Sequence, residues 1–499
     1  MQFATPEGTA RLRDRFLSRG AHPDAYRQLG RTGLIVGDVG FGGFRISDRI
    51  PDHTHALHDA WSFGVNLYDT APTYGAGASE RALGRAMAEW TRDEVVVLTK
   101  AGYVQGESLR RVSENVSRGR PYRGVFSISD DAQYCLDPRF LSDELAASAA
   151  RLGLTCVDGF LLHNPETWLQ FASGSPSERW AAFRERLHDA FAWAESMVAE
   201  GRFSWYGVCS NSLVASSDSD SDGIGLDVLV EIARAVGGDE HHFGLIEVPF
   251  NLLELEMAIP AGSSVIDTAA VAGLGVVTLR PLNAMGTRGL MRLADLELSS
   301  TPPRLDLARR ELEGLEAEYA EGIGRALAGA GISSPDFRFS HDLVKRAADI
   351  SEPVRFGEWV QGRLTTDLGN IVQNFETRLS PPMRAAFRFW LERYVDGLTM
   401  LSGALHAQNV ALAGARTNRL RKTVEAWFRS EVSQSPTSAG LSTSQFALRS
   451  VLGVAGVSTV LVGMRRPEYV RDVADILRSP RGQLLVDPLV AGRAGEEPW

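Results

Sequence analysis

One pattern recurs along this 499-residue chain: a short apolar run, a polar turn, and then a stretch with helical spacing. Strands that are apolar on both faces are typical of parallel sheets covered by helices, and eight such units close a barrel. We therefore predict an α/β fold, a (β/α)₈ TIM barrel. The eight predicted strands are Asp38–Gly43, Val65–Thr70, Val95–Lys100, Val157–His163, Trp205–Cys209, Leu245–Pro249, Gly275–Leu279 and Thr459–Gly463.

The uneven spacing of these strands predicts additions to the barrel. The segment between the seventh and eighth strands has helical spacing of Leu, Ala, Phe and Trp, so we expect a large, mostly helical inserted subdomain. The predicted organisation is an N-terminal extension at 1–28, a barrel at 29–285 and 441–490 with a long loop at 105–135, the helical insertion at 286–440, and a C-terminal tail at 491–499.

The insertion leaves the barrel at the end of the seventh strand, which points to the face where barrel enzymes hold their active sites. We therefore expect it to cover or border that face; a self-contained domain at the side of the barrel is the alternative. Its apolar residues Phe387, Trp390, Leu391 and Tyr394 recur at helical spacing, with Phe389 alongside, so this face must be buried.

The composition excludes several classes of protein. Hydrophobic residues make up 44% and charged residues 23%, which is ordinary for a globular chain. The net charge of −10 argues against a dedicated nucleic-acid binder, and no uncharged apolar run is long enough to span a bilayer. Three scattered cysteines favour neither a disulfide framework nor a metal site. The first residues lack the apolar centre of a secretory signal, so we expect a cytoplasmic protein.

Polar residues close three successive strands. Asp69 ends the second strand and is followed by Tyr74; Lys100 ends the third strand and His163 the fourth. Taken singly, the aspartate also fits a turn, the lysine a solvated strand end and the histidine a structural role. Together they favour an acid–base site without a metal, because a phenol beside an ammonium group can release its proton more easily.

Several motifs resemble the aldo-keto reductase family in order and spacing. They are NLYDTAPTYGAGASERALGRAM, VVVLTKAG, DGFLLHNPE, WYGVCSNS and GVVTLRPL, preceded by RQLGRTGLIVGDVGFGGF, which is similar to the family's opening hairpin and first strand. The resemblance covers a little over half of the chain. It implies that Asp69, Tyr74, Lys100 and His163 form the catalytic tetrad, with Tyr74 as the general acid. It also implies hydride transfer between a nicotinamide cofactor and a carbonyl.

The resemblance carries cofactor positions as well. The implied cofactor-binding residues are Gly43, Phe44, Asp69, Ser210, Asn211, Glu247, Leu279, Arg280, Leu282, Met464 and Arg465. Glu247 stands where the family usually has Gln, Leu279 where an aromatic residue is common, and Val473 where an adenine-contacting Asn is usual. Arg280 fits either a cofactor pyrophosphate or an ion pair with an acid of the insertion. Arg465 and Arg466 favour NADPH over NADH.

These observations predict an NADPH-dependent oxidoreductase that interconverts an aldehyde or ketone and an alcohol. The expected partner is a small carbonyl or alcohol substrate, with neither nucleic acid nor membrane, and a homo-oligomer is compatible with the sequence. Two alternatives remain at this point. One is an NADP-binding regulatory or interaction protein, which the changes at Glu247, Leu279 and Val473 would suit. The other is a non-redox barrel lyase or isomerase that uses the same acid–base groups.

Overall fold

The computed structural model describes residues 3–216, 223–259, 263–286, 289–295, 304–431 and 441–480; the predicted C-terminal tail at 491–499 lies outside them. The strands are β1 (Tyr26–Gln28), β2 (Ile35–Gly37), β3 (Val39–Gly42), β4 (Leu67–Asp69), β5 (Val96–Ala101), β6 (Tyr103–Val104), β7 (Phe126–Ser129), β8 (Ala132–Tyr134), β9 (Val157–His163), β10 (Phe203–Cys209), β11 (Leu213–Val214), β12 (Ile224–Gly225), β13 (Phe243–Pro249), β14 (Gly275–Leu279), β15 (Asn283–Gly286), β16 (Gly289–Arg292) and β17 (Val457–Val462).

The helices are α1 (Pro6–Leu17), α2 (Pro51–Ser62), α3 (Ala78–Met87), α4 (Glu107–Ser117), α5 (Pro138–Leu152), α6 (Glu166–Phe171), α7 (Pro176–Ala199), α8 (Leu226–Gly237), α9 (Val265–Val271), α10 (Leu305–Tyr319), α11 (Arg325–Gly329), α12 (Phe339–Asp349), α13 (Pro353–Trp359), α14 (Thr365–Glu376), α15 (Pro381–Glu431), α16 (Thr443–Leu452) and α17 (Pro467–Ala474). The described residues form two compact units, one within residues 3–284, 425–431 and 441–480, the other within residues 285–424.

The first unit contains a closed parallel barrel, as predicted. Its strands follow chain order around the barrel: β3, β4, β5, β9, β10, β13, β14 and β17. The last strand closes the ring by pairing on both sides, with Val460 opposite Val39 of β3 and Val457 opposite Val276 of β14. Inward-facing apolar side chains fill the interior, among them Leu67, Leu98, Leu161, Leu245, Val277 and Leu461. Ahead of the barrel, β1 and β2 pair as an antiparallel hairpin.

The segment predicted as a long loop at 105–135 is folded instead. It contains α4 and an antiparallel sheet in the order β6, β8, β7, in which Tyr103 lies opposite Tyr134. The strands are two to four residues long and β7 alternates half-buried with exposed positions, so they lack the apolar run by which the barrel strands are recognised. Short strands on a partly exposed surface give too little sequence signal to be predicted.

The mostly helical insertion between the seventh and eighth barrel strands is present, with α10 to α14, and α15 as far as Val424, in the second unit. Its core is aromatic: Trp390 stacks on Tyr394 at 4.6 Å between ring centroids, and Phe387 is fully buried. Leu391 packs at the edge of this core, whereas Phe389 is 66% exposed. Although α15 runs for 51 residues, neither it nor another described helix has an apolar stretch sufficient to cross a bilayer.

One buried carboxylate ties the start of the chain to two barrel strands. Asp158 of β9 is 1% exposed and accepts hydrogen bonds from the backbone N–H of Ala4 at 2.6 Å and of Val97 at 2.7 Å. The guanidinium of Arg92 donates to the same carboxylate at 2.9 Å. Asp158 therefore holds the N-terminal segment, β5 and β9 together through three donors.

We expect Asp158→Ala to lower the free energy of unfolding of the barrel by about 3–5 kcal/mol, because it leaves two buried N–H groups without their acceptor and removes the carboxylate that pairs with Arg92. Urea titration followed by near-UV circular dichroism measures the change. Asp14→Ala is the control: this aspartate pairs with Arg13 on the surface, so its loss should change the free energy by no more than about 0.5 kcal/mol. Equal losses in the two variants would contradict this role for Asp158.

Candidate active site

Tyr74 lies on a tight loop between β4 and α3. Its backbone N–H donates to the carbonyl of Ala71 at 3.0 Å. The next three residues, Gly75, Ala76 and Gly77, all have positive φ, with 61°, 52° and 79°. Left-handed backbone over three residues turns the chain sharply, which the two glycines permit at little steric cost. The loop thereby places the phenol beside Lys100.

The Ser-Glu pair that opens α3 anchors this loop. The hydroxyl of Thr70 donates to Oγ of Ser79 at 2.9 Å, and that of Thr99 donates to the buried carboxylate of Glu80 at 2.9 Å. These bonds fix α3 to the ends of β4 and β5. A side chain on Gly43 would place its Cβ 2.5 Å from Oγ of Ser79, so the close approach requires glycine there. Gly43 therefore allows the end of β3 to pack closely against α3 at the C-terminal end of the barrel strands, which we call the mouth.

A buried ammonium group lies at the centre of the site. Lys100 of β5 is 0% exposed and makes a close ion pair with the carboxylate of Asp69. Its Nζ also lies 3.2 Å from Oε2 of Glu247 on β13 and 3.5 Å from Oη of Tyr74. The predicted tetrad members Asp69, Tyr74 and Lys100 are therefore in contact, joined by a second carboxylate whose contact with Lys100 the sequence did not predict.

The electrostatics of the cluster keep the lysine charged and the tyrosine protonated. Burial opposes the charge on Lys100, but Asp69 and Glu247 outweigh it and raise the Lys100 pKa well above its usual value. Burial also raises the pKa of Tyr74 well above 10, although Lys100 acts in the opposite direction. The charge of Lys100 therefore lowers the pKa of Tyr74, as expected. Burial and the carboxylates of Asp69 and Glu247 raise the same pKa by more, so the phenol stays protonated.

His163 ends β9 and faces the phenol. Its ring meets that of Tyr74 edge-on at 6.3 Å between centroids and that of Tyr103 at 5.0 Å. Burial and the charge of Lys100 lower the pKa of His163 to about 3, so the imidazole is neutral at physiological pH. Asn164, at a left-handed φ of 51°, donates to Oη of Tyr103 at 3.0 Å. Tyr103 therefore lies against His163 at the edge of the site. This role was not predicted from the sequence, although Tyr103 directly follows the TKAG motif.

The other side of the mouth carries residues that follow β10. Ser210 is fully buried and Asn211 is exposed. The backbone N–H of Asn211 donates to Oε1 of Glu166 at 2.8 Å, and Glu166, which begins α6, is itself 3% exposed. This carboxylate fixes the Ser210–Asn211 turn. The role of Glu166 was not predictable from the LLHNPE motif, because only the fold brings this carboxylate to the end of β10.

Arg280 follows β14 with a left-handed φ of 57°. It donates to Oε1 of Glu254 at 2.6 Å, and the amide of Asn251 donates to the other oxygen of the same carboxylate at 2.7 Å. Glu254 belongs to the loop after β13, so Arg280 has an acidic partner within the barrel unit. Its Nε is buried and donates to no atom in the described ranges.

The remaining predicted cofactor positions differ in exposure. Phe44 is 60% exposed and meets Tyr74 edge-on at 5.5 Å between centroids. Leu279, Leu282 and Arg465 are half-buried, whereas Met464 is fully buried. Arg465 and Arg466 lie near enough to His53 that, after burial, their charges lower its pKa. Val473 is buried in the packing of α17. Two arginines therefore lie side by side shortly after β17.

Residues 35–221 match the model of the Aldo/keto reductase family. This part of the chain is an aldo/keto reductase domain. The match covers the first five barrel strands and includes all four members of the predicted tetrad. The chain outside it consists of the remaining barrel strands, the insertion and the two chain ends.

Two curated relatives of the aldo/keto reductase domain have enzyme names. A D-threo-aldose 1-dehydrogenase from a Pseudomonas species is 34% identical over 142 residues, which cover 27% of this chain and 42% of the relative. An NADH-specific methylglyoxal reductase from Escherichia coli is 33% identical over 108 residues, covering 21% and 28%. The matches span less than half of either relative. A solved glycerol dehydrogenase from Gluconobacter oxydans aligns over 95% of both chains with 17% identity and a TM-score of 0.46.

We expect the His163 imidazole of this aldo/keto reductase domain to stay neutral from about pH 5 to 8. Its pKa of about 3 means that protonation begins only in strong acid, because burial and Lys100 both oppose the cation. NMR of the histidine ring nitrogens measures this directly, with exposed His188 giving an internal reference signal. A titration midpoint between about 6 and 7 for His163 would show that neither burial nor Lys100 acts on it as described.

Proposed function

We propose that the chain is an NADPH-dependent oxidoreductase that interconverts an aldehyde or ketone and an alcohol, with Tyr74 as the general acid and base. The observation that carries the proposal is the fully buried Lys100, whose Nζ contacts Asp69 and lies 3.5 Å from Oη of Tyr74. A structural ion pair would not need a phenol beside it. The names of the curated relatives, a dehydrogenase and a reductase, support the same reaction class.

The residues at the mouth fit a dinucleotide phosphate. Arg280 has a buried Nε without an acceptor among the described residues, and Arg465 and Arg466 supply two further guanidinium groups. Arginine forks suit phosphate oxygens. Ser210 and Asn211 offer a hydroxyl and an amide to the nicotinamide carboxamide. When bound, NADPH supplies the hydride that is exchanged with the carbonyl carbon.

Proton transfer is the task of the chain's own residues. In the direction of reduction, Oη of Tyr74 gives its proton to the carbonyl oxygen, and the ammonium of Lys100 stabilises the phenolate that remains. Asp69 keeps Lys100 charged and in place. The neutral imidazole of His163 can donate a hydrogen bond to the same oxygen, which orients the carbonyl. In the direction of oxidation the phenolate takes the proton from the alcohol.

We expect Tyr74→Phe to lower kcat for carbonyl reduction by about 10²–10⁴-fold or more and to leave NADPH affinity within about twofold, because the variant lacks only the proton donor. Stopped-flow NADPH oxidation gives the rate, and fluorescence titration gives the affinity. Tyr122→Phe is the matched control, since its hydroxyl binds Asp143 outside the site. Near-normal turnover by Tyr74→Phe, or a wild-type protein that binds NADPH and reduces no aldehyde or ketone, would contradict the proposal.

The cofactor preference is tested separately. We expect Arg465→Ala to weaken NADPH binding by roughly tenfold or more and to leave NADH binding unchanged, because a charge-assisted contact to the 2′-phosphate contributes about 1.5–3 kcal/mol. Calorimetric titration with each cofactor gives the two affinities, and Arg466→Ala serves as the neighbouring comparison. If both cofactors weaken equally, or neither does, Arg465 is not the phosphate contact.

A further inference from the structure

Two buried carboxylates share a single ammonium group in the barrel mouth. Asp69 is 3% exposed, Glu247 is 1% exposed and Lys100 is 0% exposed. Lys100 is the cation that pairs with each of them, and no second cation within the described ranges forms an ion pair with either carboxylate. With all three groups ionised, the cluster would bury an uncompensated negative charge. Such a charge is costly in a site from which water is excluded.

A proton on one carboxylate removes this excess charge, and the contacts indicate which one holds it. Asp69 makes the closer ion pair with Lys100 and is hydrogen-bonded to it. Oε2 of Glu247 lies farther from Nζ, at 3.2 Å. The carboxylate with the better contact to the cation keeps the charge, so Glu247 takes the proton.

The other described groups around Glu247 carry no charge that could neutralise its carboxylate. On one side of β13 the paired residue is Cys209 of β10, and on the other it is Val277 of β14. Burial and Glu247 itself raise the pKa of the Cys209 thiol well above its usual value, so the thiol is neutral. Tyr74, whose pKa is raised as well, is also neutral. The groups that face Glu247 are therefore Lys100, Asp69, Cys209 and Tyr74, with one positive charge among them.

We propose that Asp69, Lys100 and Glu247 act as one unit with a single shared proton, carried by Glu247, and that Glu247 thereby sets the charge beside the Tyr74 hydroxyl. Glu247 is a positioning residue, because it acts on Tyr74 through Lys100. A protonated carboxyl is neutral and carries both a donor and an acceptor, as the amide of a glutamine does. The expected effect on catalysis rests on the proposed function, whereas the shared proton is independent of that function.

The pH dependence of this unit follows from its burial. Burial, followed by the charge of Asp69, raises the pKa of Glu247 to about 8, against about 4.3 in an unfolded chain. Above about pH 8 the cluster gains a negative charge, and Glu247 then raises the pKa of Tyr74 further. A phenol with a higher pKa is a weaker acid. Carbonyl reduction by the wild-type protein should therefore fall above about pH 8, by up to about tenfold per pH unit.

The decisive experiment follows thermal stability against pH in the wild type and in Glu247→Gln, without cofactor or substrate. The folded wild type holds a proton that the unfolded chain releases above about pH 4.3, so its stability falls as the pH rises to about 8 and then levels off. Glu247→Gln carries no such proton. The Tm of the variant minus that of the wild type should therefore increase between about pH 5 and 8 and stay constant above that.

Glu178→Gln is the control for an ionised carboxylate. Hydrogen bonds from Ser175 lower the pKa of Glu178, so this change should leave the Tm difference constant from about pH 5 to 9. A Tm difference for Glu247→Gln that is equally constant overturns the proposal. Neither variant needs NADPH or a carbonyl, so this outcome is independent of whether the proposed function holds.

A second measurement covers the case in which Glu247→Gln fails to fold. Infrared difference spectra of the wild type between about pH 6.5 and 9.5 should show the loss of a protonated carboxyl band. In Asp69→Asn the same loss should move to lower pH, because Glu247 is then the sole carboxylate beside Lys100. An unchanged midpoint in Asp69→Asn would show that the two carboxylates do not share the proton.

Discussion

The contact between the Lys100 ammonium and the Asp69 carboxylate, both buried, is the interaction on which the rest of the mouth depends. A buried charge is tolerated only when it is paired, so the end of β4 must lie within reach of Lys100 on β5 for the barrel to be stable. The same contact holds a positive charge beside the Tyr74 hydroxyl. After burial, that charge is the second cause that lowers the pKa of His163. The geometry of the predicted catalytic residues and the stability of the fold therefore depend on one pair of residues.

The barrel was predictable because its strands are buried on both faces, and such strands read as continuous apolar runs. The runs at Val157–His163 and Gly275–Leu279 have the bounds that the structure shows. The α4 region was not predictable, since β7 is half-exposed and its partner β8 has three residues. The long insertion separates the last barrel strand from the other seven along the sequence. The apolar run of β17 was still recognisable, because this strand pairs on both sides and is buried at every position.

The predicted tetrad residues were accessible from sequence because Asp69, Lys100 and His163 lie at strand ends of the same parallel barrel and Tyr74 lies on the loop after β4. Glu166 and Tyr103 were not, because their roles arise from contacts between segments distant in the chain. The same holds for the contact between Glu247 and Lys100. A sequence motif gives the identity of a residue at a strand end, whereas the number of charges around it depends on which strands face one another across the mouth.

The insertion between β14 and β17 has a consequence for the order in which this chain is made. Until Val457–Val462 leaves the ribosome, β14 and β3 both present unpaired edges, which are templates for pairing with other chains. Translation of the intervening residues takes roughly ten to thirty-five seconds at about 5–20 residues per second. For that time the nascent barrel is an open seven-stranded sheet, and its protection from aggregation depends on chaperones or on the helices already formed around it.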